Sequence, residues 1–371
     1  MNSQSGTPGK SGGGATETEK MHRRRVIGAS LVVALLVISG LGTWLAFSLS
    51  APSNTAAPTS SPAPAPAPSF SNTPTAPELR GLIVVGASTD TGEEIVSMRP
   101  PGTQRQVLTT GSLDSQPELS PDGRTIAFLR CTTAADCDAP GASNVWMMGF
   151  DGSDPRAVTT CTGTPCTGAG APSFSPDGQW LAFAYGQVES DGLHQGIFLA
   201  RPDGSGLRRL TDVGEGKPPD GSPHFSPDGS TIVFDREADN GTHRFMTVRA
   251  DGTGLAELGI SANASDAVWS PTGNRIAFSL AVKEGDATIY DVATAPAAGG
   301  TLTILSQNTA DYQASYPSYS PDGRWVVFSQ RGVEGGCDLK IVPSTGGAET
   351  VVSGEGSCLN GADWGRFYSA G

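Results

Sequence analysis

One tetrapeptide, Ser-Pro-Asp-Gly, recurs along the chain between hydrophobic runs, and it limits the fold more than any other feature. The copies are PELSPDGRTIAFLR (Pro117 to Arg130), PSFSPDGQWLAFAYG (Pro172 to Gly186), PHFSPDGSTIVFDR (Pro223 to Arg236), AVWSPTGNRIAFSL (Ala267 to Leu280) and PSYSPDGRWVVFSQ (Pro317 to Gln330). Their turn serines, Ser120, Ser175, Ser226, Ser270 and Ser320, stand 55, 51, 44 and 50 residues apart. Periods in this range mean one supersecondary unit per repeat. A degenerate sixth copy, ADWGRF, places Gly365 45 residues after Ser320.

Each copy reads as two strands joined by a tight turn. Proline presets the second turn position, aspartate bonds its own backbone at the third, and glycine supplies the left-handed fourth. The residues in these structural roles are Asp122 and Gly123, Asp177 and Gly178, Asp228 and Gly229, Gly273 after Thr272, and Asp322 and Gly323. Four of them are aspartates that resemble calcium-loop acids, but each lacks the alternating second and third oxygen donors such loops need. A second turn signal follows about 30 residues later in most units, as FDGSDP, PDGSG, ADGTG and STGG, with a strand-like run on either side. Each repeat is therefore expected to be a four-stranded antiparallel meander.

Such units cannot cover both faces alone, and radial stacking into a propeller is the solution at this repeat length. The expected fold is all-β, a six-bladed propeller of four-stranded antiparallel blades. The sixth copy ends too soon for its own second strand, while GLIVVGAS (Gly81 to Ser88) looks like that missing strand. The two ends of the propeller are expected to share a blade, which closes the ring and removes free edges. The position before each turn serine, with Leu119, Phe174, Phe225, Trp269, Tyr319 and Trp364, is expected to pack between blades.

The repeat pattern, an aromatic residue followed by Ser-Pro-Asp-Gly and a strand ending in Phe, resembles that of the TolB-type six-bladed propeller over residues 79–369. The resemblance implies a protein-interaction scaffold of the bacterial envelope, and similar blades also occur beside peptidase domains. TolB carries an N-terminal α/β domain, whereas here other segments take that place.

Those segments are expected to be a basic cytoplasmic tail at 1–25, a transmembrane signal-anchor helix at 26–50 and a Pro/Ala/Ser-rich linker at 51–78, ahead of the propeller at 79–371. Val26 to Ser50 contains no charged residue, and ~20 apolar residues span a bilayer. Arg23, Arg24 and Arg25 precede it, so the positive-inside rule puts the propeller outside the cytoplasmic membrane. A signal peptide cleaved after Ser50 is the alternative; no cysteine near residue 50 permits lipoprotein anchoring. The linker, in polyproline II geometry, reaches about 85 Å at ~3.1 Å per residue.

The whole chain carries a net charge of -13. The tail contributes +3, which leaves -16 for everything after it. That balance excludes a broad phosphate-binding face, so no nucleic-acid partner is expected. The motifs G-x-S-x-G, H-E-x-x-H and G-x-x-x-x-G-K-[ST] are missing. No cofactor is predicted, with Ca²⁺ a possibility in the channel. The expected partner is a protein or cell-envelope component bound by a monomeric propeller, the alternative function being a small-molecule hydrolase or lyase with a cation in the channel.

Strand order puts the loops after the second and fourth strands on the face opposite the turns. All six cysteines fall in those loops, and disulfides suit an exported domain. Cys337 is expected to meet Cys358. Among Cys131, Cys137, Cys161 and Cys166, cross-loop bridging by repeat equivalence and local 131–137 and 161–166 pairing both remain open. The channel mouth opens on the same face. Two residues before each turn serine or its equivalent stand Glu118, Ser173, His224, Val268, Ser318 and Asp363, and four before it Asp266 and Tyr316. Glu118, His224, Asp266, Tyr316 and Asp363 are the candidate binding residues, against the alternative that they are merely solvated strand ends. His194 and His243, in second-strand loops, read as ordinary surface residues.

Overall fold

The computed structural model describes residues 79–366, apart from 90–91, 132–140, 162–165, 215–216, 218–219, 239–240, 261, 285–286, 307, 309–310, 333–335 and 354–358. The expected tail, anchor and linker, with Cys137 and Cys358, lie outside the described residues. Among those described, no helix is long and apolar enough to cross a membrane.

The described chain is built of strands. β1 (Leu82–Thr89), β2 (Gly92–Arg99) and β3 (Thr103–Val107) come first. Blade one holds β4 (Leu113–Leu119), β5 (Thr125–Cys131), β6 (Ser143–Gly149) and β7 (Arg156–Ala157). Blade two holds β8 (Cys166–Phe174), β9 (Leu181–Glu189), β10 (Gly192–Ala200) and β11 (Arg208–Arg209). Blade three follows with β12 (Gly221–Phe225), β13 (Thr231–Glu237), β14 (His243–Arg249) and β15 (Ala256–Glu257), and blade four with β16 (Ala264–Trp269), β17 (Arg275–Glu284), β18 (Ala287–Pro296) and β19 (Thr303–Ile304). Blade five has β20 (Tyr312–Tyr319), β21 (Trp325–Gly332), β22 (Cys337–Pro343) and β23 (Thr350–Ser353), and β24 (Leu359–Gly365) is last.

Within each blade, consecutive strands pair antiparallel. β24 pairs antiparallel with β1, setting Ile83 opposite Trp364 and Val84 opposite Asp363. The closing blade is thus assembled from both ends of the described chain, as the missing strand of the sixth copy required. The innermost strands touch in cyclic order, β4 to β8, β12, β16, β20, β24 and back to β4. They surround a central channel.

The core lies between blades rather than inside one. Val84 and Ile95 of the closing blade pack with Ile126, Phe128 and Met148 of blade one. Ile197 and Leu199 of blade two meet Phe225, Ile232 and Phe234 of blade three. Second strands are covered on both faces, so they read as continuous apolar runs such as TIAF rather than as alternating ones. Leu119, Phe174, Phe225, Tyr319 and Trp364 are buried, as expected for packing positions, while Trp269 is half-buried against the cluster between blades three and four.

The turns act through hydrogen bonds. Ser120 Oγ donates to Asp122 (2.7 Å) and accepts from the Thr125 amide (3.0 Å), while Asp122 accepts from the Arg124 amide (3.1 Å). The same pattern recurs at Ser175 and Asp177, Ser226 and Asp228, and Ser320 and Asp322. In blade four Thr272 cannot accept in this way alone, and Asn274 takes over, receiving the Thr272 hydroxyl at 2.6 Å. The serine hydroxyl bond holds the carboxyls of Asp122, Asp177 and Asp228 below their usual range.

A second recurring bond has no counterpart in the sequence reading. Thr109, Thr159, Thr211 and Ser306 each accept the amide fourteen residues earlier, from Ile95, Val145, Ile197 and Val292, at 2.8–3.0 Å. These hydroxyls continue the ladder past the very short fourth strands and satisfy amides that would otherwise be buried without partners.

The cysteines resolve the open pairing in part. Cys161 and Cys166 bridge each other, with 5.6 Å between their Cα atoms. The cross-loop scheme is therefore wrong for this pair, because the two lie five positions apart in one loop and meet without bringing two loops together. Cys131 is disulfide-bonded, and Cys337 is buried at the start of β22. The partner expected for it, Cys358, is outside the described residues.

Candidate functional site

The channel mouth is built by a backbone irregularity that repeats six times. Four positions before each turn serine, or its equivalent, the backbone is left-handed: Gln116 (φ 50), Ala171 (φ 31), Ser222 (φ 45), Asp266 (φ 56), Tyr316 (φ 55) and Gly361 (φ 84). In five innermost strands the pairing register breaks at the same place, between Ser115 and Glu118, Gly170 and Ser173, Gly221 and His224, Ser265 and Val268, and Ser315 and Ser318. A bulge of this kind bends the strand and re-aims a side chain. Proline follows in four of the six, at 117, 172, 223 and 317, where the ladder needs no amide. In the closing blade only glycine fits, since a Cβ at 361 would stand 2.8 Å from Gln116 Cα.

Left-handed geometry at a non-glycine residue costs about 1–2 kcal/mol, while glycine costs about 0.4–1 kcal/mol through the unfolded chain. Ala171→Gly is therefore expected to stabilise the protein by about 0.5 kcal/mol, against the usual trend for strands. Urea denaturation checks the sign; a loss above 0.5 kcal/mol would contradict it.

The ring two positions further on ties blades together. Asp363 accepts the Leu119 amide of blade one (2.9 Å), and Glu118 of blade one accepts the Phe174 amide of blade two (2.8 Å) and the Ser173 hydroxyl (3.2 Å). Ser173 accepts the Phe225 amide (3.4 Å), and Ser318 accepts the Trp364 amide (3.2 Å) while donating to Asp363 (2.8 Å). The chain of bonds breaks at His224 and Val268. Glu118 and Asp363 are thus not merely solvated strand ends but inter-blade connectors.

The five candidate residues do come together. All five line one cavity of about 90 Å³, with Gln116, Ser222 and Ser318 among its other walls. Its lining holds three carboxyls and no lysine or arginine. Burial pushes the Asp266 carboxyl up to about 6, with the nearby Asp235 charge adding to it. Burial likewise raises Glu118 well above the usual carboxylate range, Asp363 contributing, and raises Asp363 itself. His224 is held neutral, lowered to about 4 by burial, and its Nδ1 is buried without a hydrogen-bond partner. Tyr316 is pushed up to about 12 by burial, then by Asp266. Asp266 is held in place by three hydroxyls: Ser279 (2.9 Å) and Ser265 (3.1 Å) on one oxygen, Ser222 (3.3 Å) on the other.

These shifts oppose each other in pH. Asp266 binds its proton more tightly folded than unfolded, so its contribution to stability falls as pH rises from about 4 through about 6. His224 binds its proton more weakly when folded, so its contribution rises with pH over about 4 to 6.5. Asp266→Asn should therefore leave a protein whose melting temperature climbs more steeply with pH in this window. Calorimetry from pH 4 to 7 tests this, and an unchanged slope would contradict it.

Two histidines differ from their sequence reading. His194 is mostly covered and lies between Asp191 and Asp212, whose hydrogen bonds raise its affinity for a proton. His243 Nδ1 stands 3.4 Å from Asp235. Asp191 is only three residues from His194, but Asp212 and Asp235 are not placed beside their histidines by any offset of the repeat, so those two pairings arise only on folding. Among the described residues, Glu189, Asp191 and His194 form a group of three potential ligand side chains whose ligand atoms lie mutually within 4.8 Å; the channel carboxyls do not form such a group.

Two buried ion pairs near the mouth were also missed. Arg130 forks onto Asp114 (2.7 and 2.7 Å) and Arg236 onto Asp220 (2.6 and 2.7 Å). The signal was available, since each aspartate stands six before a turn serine and each arginine ten after it.

Comparison with known proteins follows the fold. The family profile PD40, TolB beta propeller domain, matches residues 139–368. Uncharacterized peptidase YuxL of Bacillus subtilis (strain 168) is 26% identical over 194 residues, 43% of this chain and 29% of that protein. Uncharacterized protein Atu1656 of Agrobacterium fabrum is 34% identical over 121 residues, 29% of this chain and 38% of that protein. The chain thus spans less than two fifths of the length of either relative. The crystal structure of TolB from Acinetobacter baumannii superposes with a TM-score of 0.62 at 18% identity, covering 77% of this chain and 67% of that one. With six closed blades and a family match over residues 139–368, the chain belongs to the TolB beta propeller domain family.

Proposed function

We infer that this protein is a binding scaffold anchored in the cytoplasmic membrane, with its propeller outside, that captures a basic group of a protein or envelope component at the channel mouth. The observation that carries the reading is the cavity lining: Glu118, Asp266 and Asp363 with no lysine or arginine. A cation entering there finds carboxyls whose ionisation burial has made costly, and it restores that ionisation. Binding should release protons and tighten as pH rises through about 6, where Asp266 titrates. The channel carboxyls do not form a group of three ligand atoms mutually within 4.8 Å, which favours an organic cation such as a lysine side chain over closed coordination of an ion. The anchor rests on the uncharged segment from Val26 to Ser50 and the arginines before it.

The test uses the full chain as bait in envelope extracts. Asp266 is the residue to change, because Glu118 and Asp363 also connect blades. A partner retained by the wild type should be lost with Asp266→Asn and kept with Arg324→Ala, on the opposite face. Retention by Asp266→Asn would remove the channel mouth as the site.

A further inference from the structure

On the turn face, each turn glycine of blades three to five stands over the turn proline of the preceding blade. A Cβ on Gly229 would lie 3.5 Å from Pro176, on Gly273 3.2 Å from Pro227, and on Gly323 3.5 Å from Pro271. The closing blade has no such turn, because β24 and β1 come from opposite ends of the propeller. Pro321 of blade five therefore has no turn glycine above it. Instead it borders a cavity of about 630 Å³.

The chemistry of that cavity differs from the rest of the molecule. Arg80 just before β1, Arg99 at the end of β2 and Arg366 just after β24 all line it, with Thr103, Leu79 and Pro321 and no acidic side chain among the described residues. Three arginines line one hollow in a region of the chain whose net charge is -16. Nothing in their sequence positions brings them together; ring closure does. A neighbouring hollow shares Arg80 and Pro321 and adds Arg324, which is paired with Asp322 at 2.7 Å.

Guanidinium forks match the oxygens of phosphate and carboxylate groups, and several together select a group with more than one negative charge. Leu79, Pro100 and Pro321 offer apolar walls suited to the organic part of such a ligand. We propose that this cavity binds a phosphate-bearing molecule, its phosphate held by Arg80, Arg99 and Arg366. The site is separate from the channel mouth and stands whether or not the channel binds a partner.

The experiment is calorimetric titration of the full chain with inorganic pyrophosphate at ionic strength fixed by chloride. Saturable binding is expected, weakened roughly tenfold or more by Arg366→Ala and by Arg80→Ala, the loss of one charge-assisted contact, and unchanged by Asp266→Asn. Both arginine side chains are exposed, and the Arg80 bond to Trp364 Nε1 runs through its carbonyl (2.9 Å), so the fold survives either change. Unaltered circular dichroism confirms this. Absence of saturable binding at millimolar pyrophosphate, or binding by both variants as tight as that of the wild type, overturns the proposal. Where pyrophosphate binds, phosphatidylglycerol vesicles that compete with it identify a lipid headgroup as the source of the phosphate, and vesicles that do not compete identify a soluble ester.

Discussion

Deleting residues 359–371 should convert the protein from a cooperatively folded domain into an aggregating one. The deletion removes β24, the partner of β1 across the seam. β1 is buried from Leu82 to Ala87, and without β24 its edge would present unpaired amides and an apolar strand to solvent, the arrangement that templates aggregation. Two further losses follow. The Leu119 amide loses Asp363, and the cluster of Ile83, Val85, Val96 and Ile341 loses Trp364. Removing one buried tryptophan side chain costs about 3–5 kcal/mol, and domains hold only about 5–15 kcal/mol in total. Near-ultraviolet circular dichroism and size-exclusion chromatography would report the loss; a truncated chain that stays monomeric and melts within a few degrees of the full chain would show that closure matters little.

Asp220→Ala has the next largest expected effect, a loss of about 3 kcal/mol. Asp220 is fully buried and receives Arg236 through both oxygens, and Thr211 also donates to it. Arg236 lies over the Phe234 ring with 26% of its side chain exposed. Removing the carboxylate leaves a largely covered guanidinium without its counter-ion, and breaking such a pair costs about 3–5 kcal/mol. Partial exposure places the effect at the low end. Adding Arg236→Met should recover a good part of the loss, because an apolar side chain over Phe234 needs no partner. Urea denaturation of the two single variants and the double variant gives the cycle; a loss below 1 kcal/mol for Asp220→Ala would refute the argument.

The reach of the sequence differs between particular residues. The turn serines and aspartates were legible because their bonds close within five residues, so the tetrapeptide carries its own geometry. The candidate set Glu118, His224, Asp266, Tyr316 and Asp363 was legible as a set, since equal offsets from a repeated turn fall at equal heights in equivalent blades. What each does was not. Glu118 was a strand-end acid by sequence and is a connector to the Phe174 amide by structure, a bond between residues of two different blades. His194 gained Asp212 and His243 gained Asp235, acids that no repeat offset relates to them, while Asp191 stands only three residues from His194.

From its sequence alone this chain determined its class, its blade count and the sharing of one blade by its two ends, because short-range turn bonds and apolar runs repeat with the period of one blade. Three features awaited the tertiary structure. The left-handed ring at the mouth depends on the register between paired strands, the burial that raises Asp266 and lowers His224 depends on the closeness of six innermost strands, and the arginine-lined hollow exists only where the ends meet without a turn. Each is a property of contacts between distant residues, and a pattern of spacings carries none of the distances that set burial and charge.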